Sequence, residues 1–102
     1  MGTGFLESVY ENALVHVLRE QGYKVDQQVR MDVEFRGVLV GGFIADLCIN
    51  DSVVVELKTS KSIAAEHEAQ VINYLKASGY SVGLLINFGV QPLQYRRFTR
   101  RH

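Results

Sequence analysis

Residues 43–58, which read FIADLCINDSVVVELK, constrain the fold more strongly than any other stretch of the chain. Apolar side chains occupy every second position from Phe43 to Ile49, a short polar segment follows at 50–52, and residues 53–55 are three valines. Alternation of this kind and β-branched residues are typical of strands. The stretch therefore predicts two antiparallel strands joined by a tight turn.

Three charged residues, Asp46, Glu56 and Lys58, interrupt these apolar strands. Burying a charge is unfavourable unless it is paired or binds a metal. Glu56 and Lys58 share one face of their strand because side chains alternate along it. Lysine is rare in a core strand, so we expect its ammonium group to pair with the two acids when no metal is bound.

The register of the hairpin predicts that the two acids lie side by side on one face. A three-residue loop at 50–52 places Ile49 opposite Val53, and therefore Asp46 opposite Glu56. A two-residue loop would put one acid on each face, and the apolar alternation argues against it. Two adjacent carboxylates repel each other, which raises a pKa, and a divalent cation removes the conflict. Oxygen ligands of this kind suit Mg²⁺ or Mn²⁺.

Length and composition restrict the class of protein. A chain of 102 residues predicts a single domain over 1–102, and 11 basic against 11 acidic residues leave no net charge that would indicate a nucleic-acid partner. One cysteine excludes an internal disulfide and fits a reducing compartment. No apolar run reaches membrane-spanning length and no signal-peptide pattern is present, so we predict a cytoplasmic protein with no membrane partner.

Residues 4–21 have the periodicity of an amphipathic helix, with Thr3 as a candidate N-cap and Gly22 as the residue that ends it. Glu7 lies at the edge of the apolar stripe and is expected to project toward the core. Its alternative explanation is a first-turn acid favoured by the helix dipole. A short chain that starts with such a helix is expected to form a homodimer. The stripe comprises Phe5, Leu6, Val9, Tyr10, Ala13, Leu14, Val17 and Leu18.

The remaining strands are predicted from alternation and apolar runs. Residues 25–36 alternate and predict a strand with one wet face. Residues 38–40 start another strand, and Gly41-Gly42 predicts a bend or bulge before the central hairpin. Residues 82–88 are almost wholly apolar, as in a strand buried on both faces, and residues 93–99 predict an edge strand.

A second helix is predicted over 62–78, capped by Ser62 and ended by Gly79. It connects two strands, so it predicts a right-handed crossover between parallel neighbours. His67, Gln70 and Tyr74, at i, i+3 and i+7, form a stripe that suits substrate contact. Packing of Tyr74 in the core is the alternative explanation. The ordinary apolar stripe comprises Ala64, Val71, Ile72 and Leu75.

Four arginines fall within the last seven residues. Arg96 and Arg97 stand in the predicted edge strand, where they are candidates for phosphate contact. A solvated basic segment that protects a sheet edge explains them equally well. Both interpretations stay open at this point.

Four pieces of the chain together resemble the GxxExxY proteins, a branch of the PD-(D/E)XK nuclease superfamily. One is Asp46 with Glu56-Leu57-Lys58, although Ala45 stands where the superfamily name has proline. The resemblance implies an α/β restriction-endonuclease-like core: a helix, antiparallel strands, a helix crossover to a central parallel strand, and an edge strand. The other pieces are Gly4-x-x-Glu7-x-x-Tyr10, His67-Glu68-Ala69-Gln70 continuing to Tyr74, and LLINFG at 84–89.

The resemblance further implies metal-dependent hydrolysis of phosphodiester bonds in DNA. Asp46, Glu56 and the backbone carbonyl of Leu57 would bind Mg²⁺ or Mn²⁺, and Glu7 would complete the metal site. Lys58 would orient or deprotonate the attacking water, or neutralise the transition state. The other implied roles are positioning of Lys58 or the phosphate by Gln70, and substrate contact by His67 and Tyr74.

Two other functions compete with this one. The first is a nuclease-fold module that binds nucleic acid or a protein partner without turnover, which the short length favours; the presence of all the acids and the lysine favours the enzyme. The second is an α/β domain whose acids form a hydrogen-bonded network. The joint occurrence of four motif pieces argues against the second.

Overall fold

The computed structural model describes the backbone of residues 3–100 and the side chains of residues 6–100. The elements in this part of the chain form one sheet in the order β1–β2–β3–β4–β5, with only β3 and β4 parallel. The predicted α/β architecture and its strand directions are therefore confirmed. The elements are α1 (Thr3–Glu20), β1 (Val25–Phe35), β2 (Val38–Ile49), β3 (Val53–Lys58), α2 (Ala65–Ser78), β4 (Val82–Asn87) and β5 (Gln94–Thr99).

The two helices pack on opposite faces of the sheet. Val55 of β3 lies in a core cluster with Val15 of α1, whereas its neighbour Val54 lies in a second cluster with Leu75 of α2. Adjacent strand residues point to opposite faces, so each face of the sheet carries its own apolar core. Burying one Val or Leu side chain contributes about 1.5–3 kcal/mol, which is what holds the three layers together.

Helix α1 ends at Gly22 in a Schellman motif, as predicted. The Tyr23 N–H donates to Leu18 O at 3.1 Å, and the Gly22 N–H donates to Arg19 O at 3.0 Å. Gly22 has a φ of +91°, which glycine adopts without steric cost. The predicted N-cap of Thr3 concerns a side chain outside the described residues.

The predicted apolar stripe of α1 is only partly correct. The helix buries Glu11 and Val15 against the sheet, with Leu14 and Leu18 beside them. Most other members of the predicted stripe are exposed, because only one face of α1 meets the sheet, although the ring of Tyr10 stacks on Phe88 with 4.6 Å between centroids. The exposed members are Leu6, Val9, Tyr10, Ala13 and Val17; the side chain of Phe5 lies outside the described residues.

The connection between β2 and β3 has the predicted length and register. Ile49 pairs with Val53, and the Ser52 N–H donates to Ile49 O at 3.0 Å. Asn50 and Asp51 have φ values of +51° and +55°, a conformation that these residue types tolerate better than most. The chemistry of the turn therefore fixes the register of the hairpin.

Strands β1 and β2 form a hairpin whose apolar residues change sides of the sheet partway along. Val25 and Leu47 lie in the α1 core, whereas Val29 and Ala45 lie in the α2 core. The change falls at Gln28, whose φ is +52°. The continuous apolar faces predicted from the alternation are therefore wrong at this point, because the backbone is distorted there.

The predicted bulge before the central hairpin lies next to the glycine pair. Val33 pairs with Gly41 but Glu34 pairs with Leu39, so Val40 is the extra residue. Strand β2 continues through the bulge as one element, so β1, β2 and β3 are the three antiparallel strands.

Helix α2 begins at Ala65, and its N-cap lies two residues after the predicted cap, Ser62. Ala64 occupies the N-cap position, and its N–H donates to His67 Nδ1 at 3.2 Å. Gly79 ends the helix in the left-handed conformation, as predicted. Within the predicted apolar stripe, Val71 and Leu75 are buried whereas Ile72 is exposed.

Within residues 3–100, neither helix is long and apolar enough to cross a membrane. The single-domain organisation, the homodimer and the cytoplasmic location stay predictions.

Candidate functional site

The two acids of the central hairpin meet where strands β2 and β3 stop pairing. The ladder between these strands ends at Leu47 and Val55, and the next residues in register are Asp46 and Glu56. Side chains replace the ladder there: the Asp46 N–H donates to Glu56 Oε1 at 3.4 Å, and the Leu57 N–H donates to Asp46 Oδ2 at 2.7 Å. The two carboxylates therefore lie directly beyond the last paired residues of the hairpin, which we call its open end.

The Glu56 carboxyl is strongly perturbed by this environment. It is 6% exposed, and burial, followed by repulsion from Asp46, raises its pKa to about 7. Lys58 and the Asp46 N–H lower this pKa, and Glu7 adds a smaller repulsion that raises it. Two neighbouring carboxylates are thus in the electrostatic conflict that the sequence predicted, and a cation between them would relieve it.

Glu7 reaches the same region from α1. Its side chain is half-buried, and Glu7 Oε1 accepts a hydrogen bond from Thr59 Oγ1 at 3.3 Å. Thr59 directly follows Lys58, so Glu7 lies at the end of β3. The predicted projection of Glu7 toward the core is confirmed.

Lys58 does not form the predicted ion pair with the acids. Among the described carboxylates, none makes an ion pair with its ammonium group, and its charge acts on Glu56 only by lowering that pKa. The physical reason is that other groups already satisfy the acids. Asp46 accepts hydrogen bonds from the Leu57 N–H and the Gln28 amide, and Glu56 faces the Asp46 backbone.

Sequence reasoning missed Gln28 and Glu11, which support Asp46. Gln28 Nε2 lies 3.3 Å from Asp46 Oδ1 and 2.8 Å from Glu11 Oε1, and Glu11 is only 8% exposed. The alternation of β1 predicted that Gln28 would face solvent, and the residue is exposed, but its amide also bonds both acids. The position of Glu11, four residues after Glu7 on one face of α1, is the signal that would have found it.

Sequence reasoning also missed Asn87, which fixes the segment after β3. Asn87 is fully buried; its Oδ1 accepts the N–H groups of Ser60 and Gly89 at 3.0 and 2.9 Å, and its Nδ2 donates to Ser60 O at 2.9 Å. A Cβ atom on Gly89 would overlap the Ser60 backbone. The Asn and Gly of the LLINFG segment therefore hold the chain two residues after Lys58.

Tyr74 is the member of the predicted α2 stripe whose pKa the acids shift. Its buried ring stacks on Phe43, with 3.8 Å between centroids and 3° between planes. Burial, followed by the charges of Glu56 and Asp46, raises the pKa of Tyr74 to about 12. The packing explanation of Tyr74 is confirmed, and its contact with substrate stays a prediction.

The other two members of that stripe, His67 and Gln70, are half-buried. His67 Nδ1 accepts a hydrogen bond from the Ala64 N–H, so this nitrogen helps to cap the N-terminus of α2. Gln70 precedes Tyr74 by one turn on the same face. Their roles toward substrate stay predictions.

Arg96 and Arg97 are exposed on β5 but occupy different rows of the sheet. Glu56 pairs with Leu85, and Leu85 pairs with Arg96, so Arg96 lies in the row of Glu56, about 10 Å away across two strand spacings. Paired residues share a side of the sheet and consecutive residues alternate. Arg96 therefore stands on the side of Glu56, and Arg97 on the other side.

The donor set at the end of the hairpin fits a hard divalent cation. No group of three or more His, Cys, Asp or Glu side chains suited to a metal ion occurs among the described residues. The donors are instead two carboxylates, Asp46 and Glu56, beside the Leu57 peptide. Carboxylate and carbonyl oxygens are the ligands that Mg²⁺ and related ions prefer, and a cation would offset the repulsion that raises the Glu56 pKa. Coordination by Glu7 stays a prediction.

The chain matches the family model of the PD-(D/E)XK nuclease superfamily over residues 1–100, and it belongs to that superfamily. No curated protein matches the chain. One similar solved structure is SSO0001, with 23% identity and a TM-score of 0.72 over 94% of this chain and 50% of that chain. Another is an alkaline exonuclease, LHK-Exo, from Laribacter hongkongensis, with 14% identity and a TM-score of 0.65 over 92% of this chain and 56% of that chain. The chain thus shares their fold and spans about half their length.

Proposed function

We propose that this protein is a divalent-cation-dependent nuclease that hydrolyses phosphodiester bonds in DNA, within the GxxExxY branch of the superfamily. The observation that carries the proposal is the pair of carboxylates, Asp46 and Glu56, at the open end of the β2–β3 hairpin, with Lys58 two residues further on. Membership of the nuclease superfamily supports the reaction class. The fold shared with an alkaline exonuclease agrees with it.

The carboxylates of Asp46 and Glu56 and the carbonyl of Leu57 would hold Mg²⁺ or Mn²⁺, with Glu7 as a further ligand from α1. Such a cation supplies a bound water of lowered pKa and polarises a phosphoryl oxygen. Asp46 is suited to this role because Gln28 and Leu57 donate to its two oxygens. Glu56 must lose its proton to act as a ligand.

Lys58 serves the attacking water and the phosphate. Its ammonium group forms no ion pair with a described carboxylate, so it is available to orient the water or to offset negative charge in the transition state. As a general base, Lys58 would first lose its own proton to solvent, and the neutral amine would then accept the proton of the water. Asn87 holds Ser60 and thereby fixes the end of β3. Gln70 would position Lys58 or the scissile phosphate.

The nucleic acid would reach Glu56 and Arg96 beside α2, which packs on the side of the sheet that carries both residues. Arg96 is exposed and about 10 Å from Glu56, where a guanidinium group would bind a backbone phosphate. His67 and Tyr74 would contact the substrate from α2. Arg97 is a weaker candidate because it occupies the neighbouring row.

The second candidate function is a module that has kept the nuclease fold and binds nucleic acid without cutting it. The absence of a three-member acidic group among the described residues favours this candidate. It predicts binding of DNA without metal-dependent products.

A cleavage assay separates the two candidates. Purified protein would be incubated with linear, circular and single-stranded DNA, and with RNA of matched length, in Mn²⁺ or in EDTA. We expect cleavage of DNA that requires Mn²⁺ and disappears in Asp46→Asn. Asp26→Asn is the matched control, because Asp26 is an exposed aspartate of β1. Binding without products would favour the second candidate, and cleavage that persists in Asp46→Asn would exclude this site.

A further inference from the structure

Glu11 is a buried carboxylate that side-chain amides satisfy. It is 8% exposed and lies on the face of α1 that packs on the sheet. Gln27 Nε2 donates to Glu11 Oε2 at 2.8 Å, and Gln28 Nε2 donates to Glu11 Oε1 at 2.8 Å. No ion pair to Glu11 occurs among the described residues. Two consecutive glutamines thus converge on one buried acid.

Two consecutive strand residues cannot normally reach the same acid, because they point to opposite faces. A φ of +52° at Gln28 makes this possible. Gln27 pairs with Leu47 and Val29 pairs with Ala45, so the register is the same on both sides and the distortion is confined to the row of Gln28 and Asp46. A non-glycine residue with positive φ is strained, and it persists only where its surroundings hold it.

The Gln28 amide makes a second contact, to Asp46. Its Nε2 lies 3.3 Å from Asp46 Oδ1, and an amide nitrogen carries two hydrogens, one for each carboxylate. The other oxygen of Asp46, Oδ2, accepts the Leu57 N–H at 2.7 Å. Both oxygens of Asp46 are therefore held, one by the adjacent strand and one by Gln28.

We propose that Gln28 is a positioning residue that fixes the orientation of the Asp46 carboxylate, and that Glu11 is the buried anchor that holds Gln28. The consequence for the reaction rests on the proposed function, in which Asp46 binds the divalent cation. The backbone distortion places the amide between the two acids, at the row where the sheet changes its apolar side. Groups that orient a metal ligand in this way typically affect metal affinity or activity by about 10- to 100-fold.

Gln27 provides a matched control for this proposal. Gln27 and Gln28 each donate one hydrogen bond of 2.8 Å to Glu11, but only Gln28 also donates to Asp46. Gln27→Ala and Gln28→Ala should therefore remove similar support from Glu11. Because alanine is strained at the positive φ of residue 28, a difference from Gln27→Ala that persists in Gln28→Asn reports the contact with Asp46.

The test is the affinity for Mn²⁺ and the rate of DNA cleavage of the two variants, each compared with wild type. We expect Gln28→Ala to weaken both by about 10- to 100-fold, and Gln27→Ala to stay within about twofold. Gln28→Asn is the second variant. Asn tolerates positive φ well, so the fold is kept, but its shorter side chain cannot span both acids and the loss should persist. Equal values for Gln27→Ala and Gln28→Ala would overturn the proposal.

A measurement that needs neither metal nor activity separates this proposal from the proposed function. In the ¹⁵N spectrum of the side-chain amides, Asp46→Ala should shift the Gln28 signals and leave those of Gln27 in place. If wild type neither binds Mn²⁺ nor cuts, a shift confined to Gln28 still supports the positioning of Asp46. Unshifted Gln28 signals would overturn it whether or not the protein is a nuclease.

Discussion

The two ends of the β2–β3 hairpin are built in different ways. At the closed end, Asn50 and Asp51 turn the chain, and the strands pair from Ile49 and Val53 onward. At the open end the pairing stops, and Asp46 accepts a backbone N–H that no strand partner satisfies. The turn at the closed end is formed by residues that are neighbours in sequence, whereas the open end is held by side chains from α1, β1 and β4.

The two ends of the hairpin therefore carry their charged residues in different settings: exposed at the closed end and buried at the open end. The closed end carries an exposed ion pair between Lys24 and Asp51, with 2.8 Å between Nζ and Oδ2. The open end carries a buried acid, Glu56, whose pKa is raised to about 7. Perturbed acids in such a setting are typical of functional sites, so substitutions at the two ends should have different effects.

The largest contrast in turnover is expected between substitutions of Lys58, at the open end, and of Lys24, at the closed end. If the protein is a nuclease, Lys58→Ala should lower turnover by about 10²–10⁴-fold, as for the loss of a general acid–base group. Folding and Mn²⁺ binding should stay nearly unchanged, because Lys58 forms no ion pair with a described acid. Lys24→Ala at the closed end should leave turnover unchanged. A Lys58→Ala variant that unfolds more easily but keeps its turnover would reverse this assignment.

The next contrast concerns pH and stability in the absence of metal. The folded-state pKa of Glu56, about 7, lies above its ordinary value of 4.5, so the folded state binds this proton more tightly than the unfolded state. The contribution of Glu56 is therefore complete below the ordinary pKa and is lost as the pH rises through about 7. The loss amounts to at most about 3 kcal/mol.

Denaturant unfolding in EDTA, between about pH 5 and about pH 8, measures this effect. Glu56→Gln should flatten the pH dependence and be the more stable protein at high pH. Asp51→Asn, at the closed end, should keep the wild-type dependence of unfolding free energy on pH. If the unfolding free energy of Glu56→Gln falls with rising pH as much as that of wild type, the electrostatic explanation is wrong.

A smaller contrast is expected between two asparagines. Asn87→Ala removes a fully buried amide and leaves the N–H groups of Ser60 and Gly89 without their acceptor, which should cost about 2 kcal/mol of unfolding free energy. Asn50 makes one comparable bond, from the Lys24 N–H at 2.9 Å, in an exposed turn. Urea unfolding should show the smaller loss for Asn50→Ala. Equal losses would mean that Asn87 does not fix the segment after Lys58.

The parts of the fold that depend on local sequence were predictable. The loop at 50–52 set the register of the hairpin, and Gly22 ended α1 as expected. The pairing of Asp46 with Glu56 follows from that register, so the candidate acids could be predicted from the sequence. Apolar runs and turn residues determine such features over short distances.

The supporting residues could not be predicted, because they depend on contacts between distant elements. Alternation along β1 gave no sign that Gln28 would adopt positive φ or that its amide would bond Glu11 on α1. The buried face of α1 was mispredicted because Val9 and Val17 fit a helical stripe as well as Val15 does. Lys58 was expected to pair with the acids, but amide and backbone donors satisfy them instead.

The most direct test of the central claim, that the open end of the hairpin is a divalent-cation site, is calorimetric titration with Mn²⁺ in buffers of different ionisation enthalpy. Binding of a metal by a carboxylate releases its proton, and the Glu56 pKa is about 7. At about pH 6.5, wild type should therefore bind Mn²⁺ and release most of one proton per ion, and Glu56→Gln should bind weakly and release none. Equal affinity and equal proton release in the two proteins would show that the cation binds elsewhere.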